Sequence, residues 1–258
     1  MNSFVLKLIA CITMFIDHIG YVVFNGKSSF FNYIGRLSFP IFSFQISEGY
    51  LHTRNIKKYI IRILTFAVIS QIPFMLFHSI LSNEFAINVI FTLLFGLLSI
   101  IVYDKCHKLL GILAVIVLGI IAQYAKFDYG FYGVFITFLF YVFSKNKLLL
   151  AAGFIISTII NYSYKIFQYN KFGIEVVKMA FSYYLPFLIC TLFSIIFILM
   201  YNKKKGPNTK YLLYLFYPLH LLLIYALNIL IWNIPIFSYA IFYCFLLQNS
   251  LVYGKIFC

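Results

Sequence analysis

The chain has 258 residues, of which 64% are hydrophobic and only 10% are charged, and its mean hydropathy is +0.98. Soluble domains contain about 45–50% apolar residues, so this composition excludes an ordinary soluble protein and predicts a polytopic membrane protein. The formal charge of +14 would suit nucleic-acid binding. However, the cations lie in short gaps between apolar runs, which is typical of the positive-inside rule. We therefore expect membrane lipids, and no nucleic acid, as partners.

Long apolar segments follow one another along the whole chain. Only helices or closed barrels satisfy the backbone in lipid, so these segments predict an all-α bundle of about ten transmembrane helices. They lie at 4–24, 31–51, 59–81, 86–103, 109–126, 129–143, 148–166, 179–201, 211–231 and 235–253. One set of alternate loops carries most of the cations: Arg54, Lys57, Lys58, Lys105, Lys108, Lys145, Lys147, Lys203, Lys204, Lys205 and Lys210. We expect that set to be cytoplasmic, which with ten spans places both termini in the cytoplasm.

No repeat, linker or low-complexity stretch divides the chain, so residues 1–258 are expected to form one transmembrane domain. The first apolar run is long enough to span and lacks a signal-peptidase-like site, so we expect it to remain as the first helix. The five cysteines show no paired spacing. This spacing predicts neither a disulfide framework nor a metal site.

An acid and a histidine, Asp17 and His18, lie side by side deep in the first apolar segment. A charge at that depth costs roughly 3 kcal/mol, so both residues are candidate functional residues. Lys7 precedes His18 by eleven positions, which returns to within about 20° of the same helix face, about 16 Å away. We expect Lys7, Cys11, Met14 and His18 to form one stripe, with Lys7 binding the anionic head of a ligand. Alternatively, Lys7 only extends to lipid head groups.

The second segment brings further charges to the same depths. Arg36 is expected near Asp17 and Glu48 near Lys7, and an ion pair would make each intramembrane charge tolerable. These pairs could serve chemistry, or they could only hold two helices together. Pro40 is expected to kink this helix.

Four cations occur within nine residues after the second segment, namely Arg54, Lys57, Lys58 and Arg62. Arginine and lysine suit phosphate oxygens, which makes the loop a candidate nucleotide-binding site. The same residues could instead be a topology signal that contacts lipid head groups. Tyr50, at the edge of this loop, is a candidate lining residue.

Polar residues in later segments are candidates for the acceptor side of a site. Asn88 could bind a ligand or join helices by hydrogen bonds. Asp128, beside Tyr129 at the start of the sixth segment, could cap the helix or contact an acceptor. His220 could contribute to the site, or it could be a buried histidine bonded to a carbonyl.

The order of these motifs resembles the TraX family. The resemblance covers about residues 4–225 and is carried by residues 6–20, 34–42, 48–54, 69–74, 88–93, 128–134, 201–206 and 216–220. TraX-family proteins are bacterial membrane proteins, and the named member N-acetylates conjugative pilin. The resemblance also extends to type 3 acyltransferases, which have a basic residue before a catalytic histidine on the first helix, as with Lys7 and His18.

The resemblance implies a multi-pass acetyltransferase of the bacterial inner membrane. Cytoplasmic acetyl-CoA would be the co-substrate, and the acceptor would be a peptide, a pilin or a glycan. His18 would be the catalytic base or a transient acyl carrier, with Asp17 and Arg36 setting its orientation and field. Lys7, Glu48, Arg54, Lys57, Lys58 and Arg62 would bind the coenzyme. Two other interpretations remain open from the residues alone: a proton-coupled transporter and a non-catalytic assembly factor. Assembly into a homo-oligomer also remains open.

Overall fold

The computed structural model of the chain describes residues 1–24, 30–82, 84–207 and 210–233. Within these ranges the backbone forms α-helices, one 3-10 turn and no strand. In chain order the helices are α1 Ser3–Val23, α2 Phe30–Gly35, α3 Ser38–His52, α4 Ile56–His78, α5 Val89–Lys105, α6 Lys108–Tyr124, α7 Gly130–Val142, α8 Lys147–Phe167, α9 Ile174–Leu199 and α10 Lys210–Asn233. The 3-10 turn, Asn170–Phe172, joins α8 to α9.

The apolar pattern predicted the positions of the helices more accurately than the number of membrane spans. Eight of the ten predicted segments each match one helix, 31–51 is divided between α2 and α3, and 235–253 lies outside the described residues. Among the described residues, five helices are long and apolar enough to cross a membrane. They are Ser3–Val23, Ile56–His78, Lys147–Phe172, Ile174–Leu199 and Tyr214–Ile231. The all-helical class is confirmed, whereas the expected count of about ten spans is not supported.

Large apolar side chains cover the outer surface of the bundle. Ile72 is 72% exposed, Leu148 78% and Met179 70%, and each belongs to one of the helices that could span. Helices that are apolar on both their inner and outer faces are typical of a lipid environment. The chain is therefore a helical membrane protein.

The second apolar segment is broken rather than kinked. α2 ends at Gly35, Arg36 and Leu37 form a turn, and α3 begins at Ser38. Pro40 is the third residue of α3, where the missing N–H of proline is tolerated because the first-turn donors lack helical partners. The break places Arg36 in a turn, and this sets where its side chain can reach.

The helix connections gather at two ends of the bundle. At one end the Tyr50 and Tyr141 hydroxyls donate to Asp104 over 2.6 and 2.7 Å, and Lys147 Nζ donates to the Leu199 carbonyl over 3.1 Å. We call this end the basic end, because its loops carry Arg54, Lys57, Lys58, Lys105, Lys108, Lys145, Lys147, Lys203, Lys204 and Lys205.

The opposite end contains the connections α1–α2, α4–α5 and α6–α7, and we call it the cavity end. Here the Asp128 amide donates to the Ile87 carbonyl over 2.8 Å. Lys126 Nζ also lies 2.6 Å from Glu84 Oε2, and this ion pair lowers the pKa of the exposed Glu84 carboxyl. These contacts fix the α6–α7 turn against the start of α5.

Candidate functional site

A cavity of about 250 Å³ lies at the cavity end of the bundle. Its polar walls come from separate chain segments, among them α1, the α2–α3 turn, the end of α4, the α6–α7 turn and α10. The charged and titratable residues that line it are Asp17, His18, Arg36, His78, Asp128, Tyr21, Tyr129 and Tyr217. The structure thus brings His18, Asp17, Arg36, Asp128 and Tyr129 together, as expected of one site.

His18 on α1 and His220 on α10 form a directly hydrogen-bonded pair. His18 Nδ1 lies 2.9 Å from His220 Nε2, and the two ring planes are only 6° apart. Two phenylalanine rings pack on the pair: Phe77 lies 4.5 Å from the His18 ring, and Phe216 lies 4.6 Å from the His220 ring. The pair is therefore held on both outer sides by apolar rings.

The hydrogen bonds of this pair assign its protons. His220 Nδ1 lies 2.7 Å from the Phe216 carbonyl oxygen, which can only accept, so His220 Nδ1 carries a hydrogen. In neutral His220 the Nε2 atom is then an acceptor, and the His18 Nδ1–H must donate to it. Neutral His18 consequently has its lone pair on Nε2. That atom lies 4.0 Å from Asp17 Oδ2, which is too far for a hydrogen bond.

Asp17 is held by Arg36 and Asn32 instead. Arg36 Nη2 lies 3.1 and 3.2 Å from the two carboxylate oxygens of Asp17. Asn32 Nδ2 donates to Asp17 Oδ1 over 3.0 Å and to the Asp17 carbonyl over 2.8 Å. The expected Asp17–Arg36 pairing is confirmed, and Arg36 Nε also donates to the Asn32 carbonyl over 3.1 Å. The three side chains form one network.

Asp128 and Tyr129 lie in the short α6–α7 turn. The Thr92 hydroxyl donates to the Asp128 carbonyl over 2.5 Å, and Tyr129 stacks on Phe39 with ring centroids 3.7 Å apart. Tyr129 has a φ of +65°, a left-handed conformation that is uncommon for a bulky residue and costs strain. The turn is thus held in place from several directions, and both side chains face the cavity.

Asn88 is fully buried away from the cavity lining. Its side chain donates to the Ala67 carbonyl and to Gln71 Oε1, each over 2.8 Å, and it accepts from the Ile90 amide as the N-cap of α5. All its polar atoms are used within the bundle. Of the two interpretations that the sequence left open, the contacts match the joining of helices.

The predicted coenzyme residues lie at the basic end, distant from the cavity. Arg54, Lys57 and Lys58 are exposed. Phe77 in the cavity wall lies nineteen positions after Lys58 on α4, which corresponds to about 28 Å of helix. Arg62 differs from the other three, because its guanidinium lies 5.3 Å from the Tyr59 and Tyr214 ring centroids and its Nε donates to the Tyr214 hydroxyl over 3.2 Å.

Lys7, Glu48 and Tyr50 also lie towards the basic end and do not line the cavity. Glu48 Oε2 lies 3.7 Å from His52 Nδ1, and the expected Glu48–Lys7 ion pair is not found among the described residues. The stripe from Lys7 to His18 faces inwards, and the buried side chains of Cys11 and Met14 fill it. No group of three or more potential metal ligands occurs among the described residues.

Sequence reasoning missed Asn32 and underestimated His220. Both belong to motifs that the chain presents clearly, at 31–40 and 216–220. Neither contact could be derived from spacing, because Asn32 depends on the break between α2 and α3, and His220 is 202 residues from His18.

The fold and the cavity define a helical membrane protein with a polar site built on its first helix. Comparison with known proteins gives the family: the profile described as TraX protein matches residues 3–228. The chain belongs to the TraX family. It is 30% identical over 245 residues to a Dichelobacter nodosus protein named probable fimbrial assembly protein FimC, serogroup H1, a match that covers 86% of this chain and 94% of that protein. No solved structure matches the chain.

Proposed function

We propose that the chain is an integral-membrane acetyltransferase that transfers an acetyl group from acetyl-CoA to a primary amine. The observation that carries the proposal is the Nε2 atom of His18, which has a lone pair and no hydrogen-bond partner among the described residues, in a residue that lines the cavity. A neutral imidazole held in one tautomer is the usual general base near neutral pH.

The chemistry requires one proton acceptor and one leaving group. His18 Nε2 takes a proton from the acceptor nitrogen, and that nitrogen attacks the thioester carbonyl carbon. The carbon–sulfur bond breaks as the new carbon–nitrogen bond forms. The proton then passes from His18 to the sulfur, so that free coenzyme A leaves and His18 returns to its neutral form.

The charges around the cavity assign the other roles. Arg36 is paired with Asp17, so this pair sets the field beside His18 without adding net charge. Asp128 is the remaining carboxylate of the described lining. We place the acceptor beside Asp128, whose carboxylate attracts its ammonium form. That form gives one proton to bulk solvent before the reaction, and His18 takes the second proton from the resulting neutral amine as it attacks. A hydroxyl acceptor would gain less from this carboxylate.

The coenzyme would approach from the basic end. We place that end in the cytoplasm of a bacterial inner membrane, with about ten spans and both termini cytoplasmic, because the short loops at this end carry most of the cations. Exposed Arg54, Lys57 and Lys58 suit the phosphates of acetyl-CoA. The acetyl-bearing arm would then run along the α1 stripe from Lys7 towards His18, where Cys11 and Met14 now fill the space.

The relative supplies a candidate acceptor and a second candidate function. The name of the Dichelobacter nodosus protein links it to fimbrial assembly, so a fimbrial or pilin subunit with a free N-terminal amine is the acceptor we favour. The same name also fits an assembly factor that performs no chemistry. In that case His18 would matter for assembly only through its packing.

Purified protein in lipid nanodiscs, given radiolabelled acetyl-CoA and a peptide with a free N-terminus, tests the proposal. We expect label on the peptide with the native chain and none with His18→Ala. His107→Asn is the matched control, because His107 is an exposed N-cap at the basic end and asparagine retains capping. Normal transfer by His18→Ala would overturn the role of His18. A native chain that supports fimbrial assembly without any transfer would favour the assembly factor.

A further inference from the structure

We infer that His220 is the positioning residue that fixes the tautomer and the ring orientation of His18. This inference rests on the proposed function, in which His18 Nε2 is the base. It assigns to a neutral histidine the part that a carboxylate plays in other catalytic arrangements, where a third group orients the base.

The first step of the argument is the attachment of His220 to its own helix. His220 Nδ1 donates to the carbonyl of Phe216, one turn earlier on α10, over 2.7 Å. The Phe216 ring also stacks on the His220 ring at 9°. Both contacts come from the same turn of α10, so the direction of the second nitrogen, Nε2, is determined by the helix itself.

The second step is the contact between helices. His220 Nε2 receives the Nδ1 hydrogen of His18 over 2.9 Å, with the rings 6° from parallel. Because an acceptor at this position binds only the tautomer with hydrogen on Nδ1, the His18 lone pair is confined to Nε2. Without His220, the neutral His18 ring would be free to place its hydrogen on either nitrogen.

Asp17, the residue next to His18, does not take this part. Its oxygens are occupied by Arg36 and Asn32 at 3.0–3.2 Å, and it lies 4.0 Å from the nitrogen that we assign as the base. We therefore assign the orientation of His18 to His220 and not, as the sequence suggested, to Asp17. Asp17 and Arg36 retain the role of setting the local field.

The arrangement also supports His18 after it accepts a proton. The resulting imidazolium keeps its Nδ1–H bond to His220, and a hydrogen bond with a charged donor is stronger than a neutral one. Phe77 lies 4.5 Å from the His18 ring and Phe216 stacks on the His220 ring, so the two imidazoles are packed against apolar rings. In such surroundings, loss of the acceptor would leave a buried N–H without a partner.

Two substitutions of His220 separate positioning from packing. Glutamine can present its amide oxygen near the position of Nε2, whereas leucine fills similar space without an acceptor. We expect His220→Leu to lower kcat about 10²- to 10⁴-fold, the range associated with loss of a base or of its correct tautomer, with little change in the KM values. We expect His220→Gln to recover at least tenfold of that loss. Equal kcat losses in both variants that follow equal losses of thermal stability would overturn the inference.

Nitrogen NMR of histidine-labelled protein tests the same inference without any enzymatic readout. We expect His18 in the native chain to carry hydrogen on Nδ1, and in His220→Leu to shift towards hydrogen on Nε2. Hydrogen on His18 Nε2 in the native chain would disprove the positioning role, whether or not the protein transfers acetyl groups. Conversely, the expected tautomer in a chain that lacks transfer would leave the positioning contact established and the proposed function disproved.

Discussion

The backbone of Gly35 lies directly against the side chain of Asp17, with no room for a β-carbon between them. A β-carbon at residue 35 would overlap the Asp17 side-chain atoms, among them Cγ and Oδ1. This close approach lets the end of α2 and the turn that follows it bring Asn32 and Arg36 onto the same carboxylate. A residue without a side chain thus determines the position of the ion pair beside His18.

Gly35→Ala should therefore displace the Asp17–Arg36 pair, although residue 35 itself has no role in the chemistry. The added methyl group must push Asp17 or α2 away, and overpacking of this kind costs about 1–3 kcal/mol. We expect a lower melting temperature and a lower kcat, both measured on the purified protein. Gly153→Ala is a suitable control, because its nearest neighbours are flexible side-chain atoms of Phe143 and Leu139 at 3.2–3.3 Å. Equal effects of the two changes would contradict the importance of this contact.

The Asp17–Arg36 pair should show strong coupling in a double-mutant cycle. Removal of one partner leaves a buried charge, which costs about 3–5 kcal/mol, so we expect Asp17→Asn and Arg36→Met each to destabilise the protein clearly. The double variant should be less destabilised than the sum of the two. The exposed Lys126–Glu84 pair provides the comparison, and we expect little measurable coupling there. Additive effects at Asp17 and Arg36 would show that the pair does not act as a unit.

Asn88→Ala should affect stability rather than acetyl transfer by the folded protein. The change removes the N-cap of α5, worth about 1 kcal/mol, and also removes the side-chain hydrogen bonds to the Ala67 carbonyl and to Gln71 Oε1. Asn146→Ala removes the exposed N-cap of α8 alone and should lower the melting temperature less. A selective rise in the KM for the acceptor in Asn88→Ala would instead place Asn88 in the binding site.

Asp128→Asn should weaken the binding of amine acceptors. A hydrogen bond to a charged group contributes about 1.5–3 kcal/mol, so we expect the KM for a primary amine to rise about 10- to 100-fold. Transfer to a neutral hydroxyl acceptor should change much less. Asp104→Asn, at the basic end, is the control. An unchanged amine KM in Asp128→Asn would place the acceptor elsewhere.

The three exposed cations of the α3–α4 region should act on the coenzyme only. We expect Arg54→Ala, Lys57→Ala and Lys58→Ala, combined, to raise the KM for acetyl-CoA at least tenfold, while kcat at saturation remains near the native value. Lys171 and Lys178, exposed at the cavity end, provide a matched control when both are replaced by alanine. An unchanged acetyl-CoA requirement would move the coenzyme site away from the basic end.

The sequence predicted those parts of the site that depend on depth and composition. Asp17 and Arg36 could be paired in advance, because two opposite charges at similar depth in adjacent apolar segments have few other ways to be tolerated. The sequence could not predict the pairing of His220 with His18, because the contact joins the first helix to α10 and no local periodicity indicates it. Asn32 was equally inaccessible, because its direction depends on where α2 ends. Fewer of the described helices meet the length of a span than the apolar pattern predicted, because apolar helices such as α6 and α7 are shorter than 18 residues.

Helix α1 runs without a break from Ser3 to Val23, and its two ends take part in different tasks. Near its start, Ser3 Oγ donates to Gln45 Oε1 over 2.7 Å, and towards its far end it presents Asp17 and His18 to the cavity. A continuous helix behaves as a stiff rod, so insertion of one residue between these points would turn His18 by about 100° and shift it by about 1.5 Å. The length of α1 is therefore as much a part of the site as its side chains. Variation in this segment should be confined to substitutions that preserve the number of residues.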